Sequence, residues 1–128
     1  GIVDMASSAS SLRYALIALA GMLATPAALA HAHLTQQSPA ANAQVTASPQ
    51  ALTLNFSEGV EPAFSGATLT GPQKEQIKTG KATRNEQDKT QLIIPLVQSL
   101  KTGKYTVDWH VVSVDGHKTK GQYSFSVK

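Results

Sequence analysis

Downstream of residue 30, apolar and polar side chains alternate with a period of two in several short runs, and no stretch of helical period is long enough to compete. Leu52, Leu54 and Phe56 alternate with Thr53 and Asn55, which predicts a strand with one buried and one wet face. Ala67 and Leu69 predict a second strand before the turn signal Gly71-Pro72. Leu92, Ile93 and Ile94 predict a third, ended by Pro95, which has no amide proton to give a ladder. The longest is Tyr105 to Val111, where Tyr105, Val107, Trp109 and Val111 share a face, and the last carries Tyr123, Phe125 and Val127 between serines. An opening strand is expected near His33 to Gln37, and the polar segment Lys74 to Thr90 reads as a long hairpin excursion with at most a weak strand. Strands of this length and spacing predict an all-β antiparallel sandwich or Greek-key barrel of about seven strands.

The N-terminal thirty residues belong to a different class of segment. Arg13 precedes an eleven-residue apolar run, 14–24, which is followed by Pro26 and by Ala28-Leu29-Ala30. That order of basic, apolar and small residues is expected of a signal peptide over 5–30, cleaved after Ala30. The run is short of the roughly 20 apolar residues that span a bilayer. Residues 1–4, ahead of Met5, read as an expression scar or an upstream extension. The expected mature chain, 31–128, suffices for one modest core, exported and not embedded in a membrane. Its ten basic and seven acidic side chains are scattered, without a stripe or interleaved aromatics. Such a distribution serves solubility and gives no ground for a nucleic-acid partner. The chain has no cysteine, so neither disulfides nor thiolate chemistry can contribute.

Cleavage after Ala30 frees an α-amino group on His31, the same residue that carries an imidazole. The amine and Nδ1 of one histidine close a six-membered chelate ring on a metal, and an α-amine with a pKa of about 8 gives up its proton at small cost. Asp115-Gly116-His117 supplies a further carboxylate and imidazole, because residues i and i+2 of extended chain point the same way and Gly116 permits a bend. The resulting three nitrogens and one oxygen suit tetragonal Cu(II), one ion per mature chain. Both methionines, Met5 and Met22, precede the cleavage point. The mature domain thus has no sulfur, and no Cu(I) site is expected.

A competing geometry stays open. His31-Ala32-His33 places a histidine third from a free amine, so that the amine, two deprotonated amides and the His33 imidazole could wrap Cu(II) alone, leaving Asp115 and His117 as spectators. In the distributed alternative His33 is a neighbour or an outer contact. His110 should face away from Trp109 as an ordinary strand histidine, and Glu58 closes a strand as a solvated turn acid.

With these residues in hand, the chain resembles the CopC/PcoC/YobA family of periplasmic copper-resistance proteins over nearly all of 31–128. The matching stretches are His31-Ala32-His33-Leu34, Ser38-Pro39-Ala40, Leu52 to Glu58, Phe64-Ser65-Gly66-Ala67, and Gly103 to His117 with its Val-Val-Ser-x-Asp-x-His ending. The resemblance implies a cupredoxin-like or immunoglobulin-like Greek-key fold, a periplasmic location and carriage of copper. It implies Cu(II) ligation by His31, Asp115 and His117, with Glu58 as a weak or outer contributor. The family's methionine-rich Cu(I) loop would fall between Gly71 and Lys89, where this chain has no methionine. A Cu(II)-only carrier or buffer serving an inner-membrane copper importer of CopD type is the expectation, and not an enzyme. Two other classes remain: a copper oxidase of the polysaccharide monooxygenase type, which also chelates copper with an N-terminal histidine, and a metal-free immunoglobulin-like interaction domain.

Overall fold

The computed structural model describes residues 32–128; the expected leader, 5–30, and His31 lie outside the described residues. The elements run β1 (Leu34–Ser38), β2 (Gln44–Val45), β3 (Ala51–Phe56), a 3-10 turn (Pro62–Phe64), β4 (Gly66–Thr70), β5 (Gln76–Ile77), β6 (Thr83–Asn85), β7 (Asp88–Pro95), β8 (Gly103–Val112) and β9 (Lys118–Val127). They form two sheets, in the orders β1-β3-β7-β6 and β2-β9-β8-β4-β5. The all-β sandwich expected from the alternation is what the chain builds, with nine strands among the described residues instead of about seven. Every pairing is antiparallel except the two-residue β2–β9 ladder.

Each sheet buries the face that its alternation marks. In the first, Leu52, Leu54 and Phe56 of β3 lie beside Leu92 and Ile94 of β7, in the register Leu52↔Ile94 and Leu54↔Leu92. In the second, Leu69, Val107 and Tyr123 make one buried row across three strands, and Tyr105 stacks on its partner Phe125 with centroids 5.7 Å apart. Phe56 meets Trp109 edge to face across the two sheets at 5.3 Å, which joins the layers. The Trp109 indole lies over its cross-strand partner Gly121, where a Cβ would stand 2.5 Å from the ring.

Segment 74–90 departs from the hairpin excursion. Instead of returning to its own sheet, it carries the chain from the second sheet to the first, contributing β5 to one edge and β6 to the other. These two strands are short and largely wet, and short edges leave little backbone open to pairing with another chain. Strand β7 begins at Asp88, before the apolar run, and Pro95 closes it as expected, its carbonyl accepting from Gly80 N at 2.8 Å.

Because the ring over Gly121 cannot yield without moving the edge-to-face pair, Gly121→Val is expected to cost about 1–3 kcal/mol of stability, read as a lowered urea midpoint with the slope retained.

Candidate metal centre

The β8–β9 ladder ends at Val112↔Lys118, and residues 113–117 turn the chain. Ser113 N–H donates to the His117 carbonyl at 2.9 Å, and Gly116 N–H donates back to the Ser113 carbonyl at 2.9 Å. Gly116 has a φ of 90°, a left-handed conformation that glycine adopts without the Cβ penalty. Asp115 and His117 converge at this tip, with Asp115 Oδ1 3.0 Å from His117 Nδ1. The convergence expected from extended-chain parity is therefore present, although the turn produces it. Both side chains keep about two fifths of their surface exposed, 41% and 43%.

Ser113, wholly buried, organises the tip from below. Its hydroxyl donates to Asp115 Oδ1 and accepts from His117 N–H at 3.2 Å. The Ser113 hydroxyl first, and His117 second, hold the Asp115 carboxyl at a pKa of about 2, well below the usual carboxylate range. Asp115 is thus an ionised oxygen donor at any physiological pH.

A loop from the opposite sheet braces this turn. Gly59 carbonyl accepts from Val114 N at 2.9 Å, Val60 bridges Ser113, and Glu61 N donates to the Val112 carbonyl at 2.8 Å. Arg84 secures the loop in turn, Nη1 donating to the Val60 carbonyl at 3.2 Å. The same loop reaches the start of the described chain. His33 N donates to Ser57 Oγ at 2.8 Å while Ser57 N donates to the His33 carbonyl at 2.8 Å. One residue earlier, Ala32 is buried, and its carbonyl accepts from Thr119 Oγ1 at 3.1 Å, two positions beyond His117.

Of the residues singled out from the sequence, the structure brings Asp115 and His117 together. His31 lies outside the described residues. His33 is exposed, with both backbone groups tied to Ser57. Glu58 is half-buried in the bend between Ser57 and Gly59, beside the loop's bond to Val114. His110 faces outward over Gly66, opposite to Trp109, as an ordinary strand histidine. Among the described residues no group of three or more His, Cys, Asp or Glu side chains converges, and no helix is long and apolar enough to cross a membrane. Sequence reasoning missed Ser57, Ser113 and Thr119. Ser113 had a signal, since it continues the buried odd-numbered row of β8, where a hydroxyl needs a partner.

A protein-family model described as the CopC domain matches residues 34–128. Protein YobA of Escherichia coli (strain K12) is 73% identical over 124 residues, which cover 97% of this chain and 100% of that protein. Among solved structures, CopC from Methylosinus trichosporium OB3b aligns with a TM-score of 0.71 at 34% identity, covering 77% of this chain and 94% of that one. PcoC from Escherichia coli, described as a methionine-rich copper resistance protein, aligns at 0.68 and 36% identity, covering 77% and 100%.

Gly116→Ala forces a Cβ into the left-handed turn. It is expected to cost more than about 1 kcal/mol in chemical denaturation, with the hairpin amides of Ser113 and Gly116 exchanging faster with deuterium than those of β3.

Proposed function

Because this chain belongs to the CopC domain family, we propose that its mature form is a periplasmic copper-binding protein in copper resistance or homeostasis. It holds one Cu(II) ion through the amine and imidazole of His31, the carboxylate of Asp115 and the imidazole of His117. It acts as a carrier or buffer that delivers to an inner-membrane copper transporter of CopD type.

The observation that carries this reading is the convergence of Asp115 and His117 at a hairpin tip whose next strand residue but one, Thr119, anchors Ala32. His31 is one peptide bond from that anchored residue. An ionised carboxylate and an imidazole match the hard and borderline donors that Cu(II) prefers. Nδ1 of His117 is buried against Asp115, which makes Nε2 the ring nitrogen suited to the ion. Residues 32–128 contain neither methionine nor cysteine, and this supports a Cu(II) site over a Cu(I) site.

The structure also bears on the chelate formed by residues 31–33 alone. That arrangement must deprotonate the His33 amide, which here donates to Ser57 Oγ at 2.8 Å. Losing this bond would leave the His33 carbonyl as the one tie between His33 and Ser57, a cost that favours the site shared with Asp115 and His117. Glu58, in that loop, is placed for an outer contact at most.

Titration of protein beginning at His31 is expected to reach one equivalent of Cu(II). Affinity should fall by more than about 100-fold in His117→Ala, beyond the 10–100-fold typical of outer-contact losses, and likewise when the α-amine is acetylated. Unchanged affinity in His117→Ala would transfer the site to residues 31–33. A pH dependence follows from Asp115. A carboxyl whose pKa is lowered to about 2 stays ionised as the pH falls from 7 to 5, so Asp115 has no proton to lose to the ion anywhere in that range. Asp115→Asn is therefore expected to bind Cu(II) more weakly than wild type at pH 5 as well as at pH 7, measured by competition with a chelator of known affinity.

A further inference from the structure

The Asp115 carboxylate has two chemically equivalent oxygens, and the structure treats them differently. Oδ1 accepts from the Ser113 hydroxyl, lies 3.4 Å from the His117 amide nitrogen, which also points at it, and touches His117 Nδ1 at 3.0 Å. All the hydrogen bonds to Asp115 among the described residues fall on this one atom. The rotation that exchanges the two oxygens is a broad, soft torsion for an aspartate, so something must hold it. Ser113 is suited to do so. It is fully buried, its backbone is bridged to Val60, and its hydroxyl donates to Oδ1, the nearer of its two acceptors, the other being the His117 carbonyl at 3.3 Å, while its lone pair takes the His117 N–H.

We propose that Ser113 is a positioning residue that makes Asp115 a one-oxygen ligand: it engages Oδ1 and presents Oδ2 to the ion. The inference rests on the copper reading above and deepens it. Without the hydroxyl, Oδ1 keeps only its contacts with the His117 ring nitrogen at 3.0 Å and amide at 3.4 Å, so the carboxylate is held less firmly and can offer both oxygens to the ion. The hairpin also loses the bridge that runs from Asp115 through Ser113 Oγ to the His117 amide. Ser113 never touches the metal, so its effect passes entirely through Asp115.

That dependence is what an experiment can isolate. Cu(II) affinity and the EPR spectrum are measured on protein beginning at His31, as wild type, Ser113→Ala, Ser113→Thr, Asp115→Asn and the Ser113→Ala/Asp115→Asn double variant. Ser113→Ala is expected to bind about 10–100-fold more weakly, with its copper hyperfine splitting moved toward that of Asp115→Asn. Ser113→Thr keeps the hydroxyl and should restore the wild-type spectrum. In the Asp115→Asn background, removing the hydroxyl should change affinity by less than about twofold, whereas a merely structural role would weaken both backgrounds alike. Equal losses in both backgrounds, or an unchanged Ser113→Ala spectrum, overturn the proposal. If far-UV circular dichroism shows Ser113→Ala unfolded, Ser113→Val fills the buried space without a hydroxyl and takes its place, singly and in the double variant. Failure of the wild type to bind copper would instead overturn the copper reading itself.

Discussion

The ten-residue antiparallel ladder between β8 and β9 sets the register on which both the core and the Asp115–His117 tip depend. A slip of one residue would turn every side chain of one strand to the opposite face. Tyr105 would lose Phe125, and Trp109 would lose the open space over Gly121 that lets its indole reach Phe56 of the other sheet. The row that buries Tyr105, Val107, Trp109 and Val111 continues at Ser113, and the facing row runs through Gly121 and Thr119 to His117. Toward the tip the core face thus passes from aromatic to aliphatic to hydroxyl and imidazole. One alternation packs the sandwich and then delivers polar groups to its end.

A hairpin tip extending alone into solvent would be a poor place to hold two side chains in a fixed relation. Here the loop at 57–61 crosses from the other sheet and binds it through the Val114 and Val112 main chains, while Ser57 takes the main chain of His33. Each such bond contributes about 1 kcal/mol net, and together they tie segments far apart in sequence to one end of the domain. Arg84, from β6, satisfies the Val60 carbonyl that the loop turns inward. The edge strand β6, weakly marked in the sequence, is thereby coupled to the site through a backbone it stabilises and not through any ligand.

The strands that line the core were legible because their buried residues fall at alternate positions, as β3, β8 and β9 all show. Strands β5 and β6 were not, because neither buries a residue fully, and without burial no alternation is imposed. Asp115 and His117 were legible as a pair from their chemistry and from the glycine between them. The turn that unites them was only partly so, since the expectation used the parity of extended chain where a left-handed glycine is at work. Ser57 and Thr119 were hidden for a different reason. Their partners, His33 and Ala32, lie 24 and 87 residues away, and no local pattern marks a hydroxyl that will find a main-chain group across the sandwich.

For a copper ion held as proposed, the hydrogen bonds that orient Asp115 also change what kind of ligand it would be. Donation from Ser113 and His117 withdraws charge from the carboxylate, which is why its pKa falls to about 2. A less basic carboxylate is a weaker donor to a metal, so orientation is gained at the expense of bond strength. For a structural or catalytic metal, which must not leave, that exchange would be unfavourable. For the carrier or buffer proposed here it has two useful consequences. The carboxylate needs neither to lose a proton nor to find its orientation when the ion arrives, which lowers the cost of binding. It also holds the ion less firmly once bound, which lowers the cost of passing it on. On that proposal, the contacts that preorganise the tip for capture are the same ones that keep capture reversible.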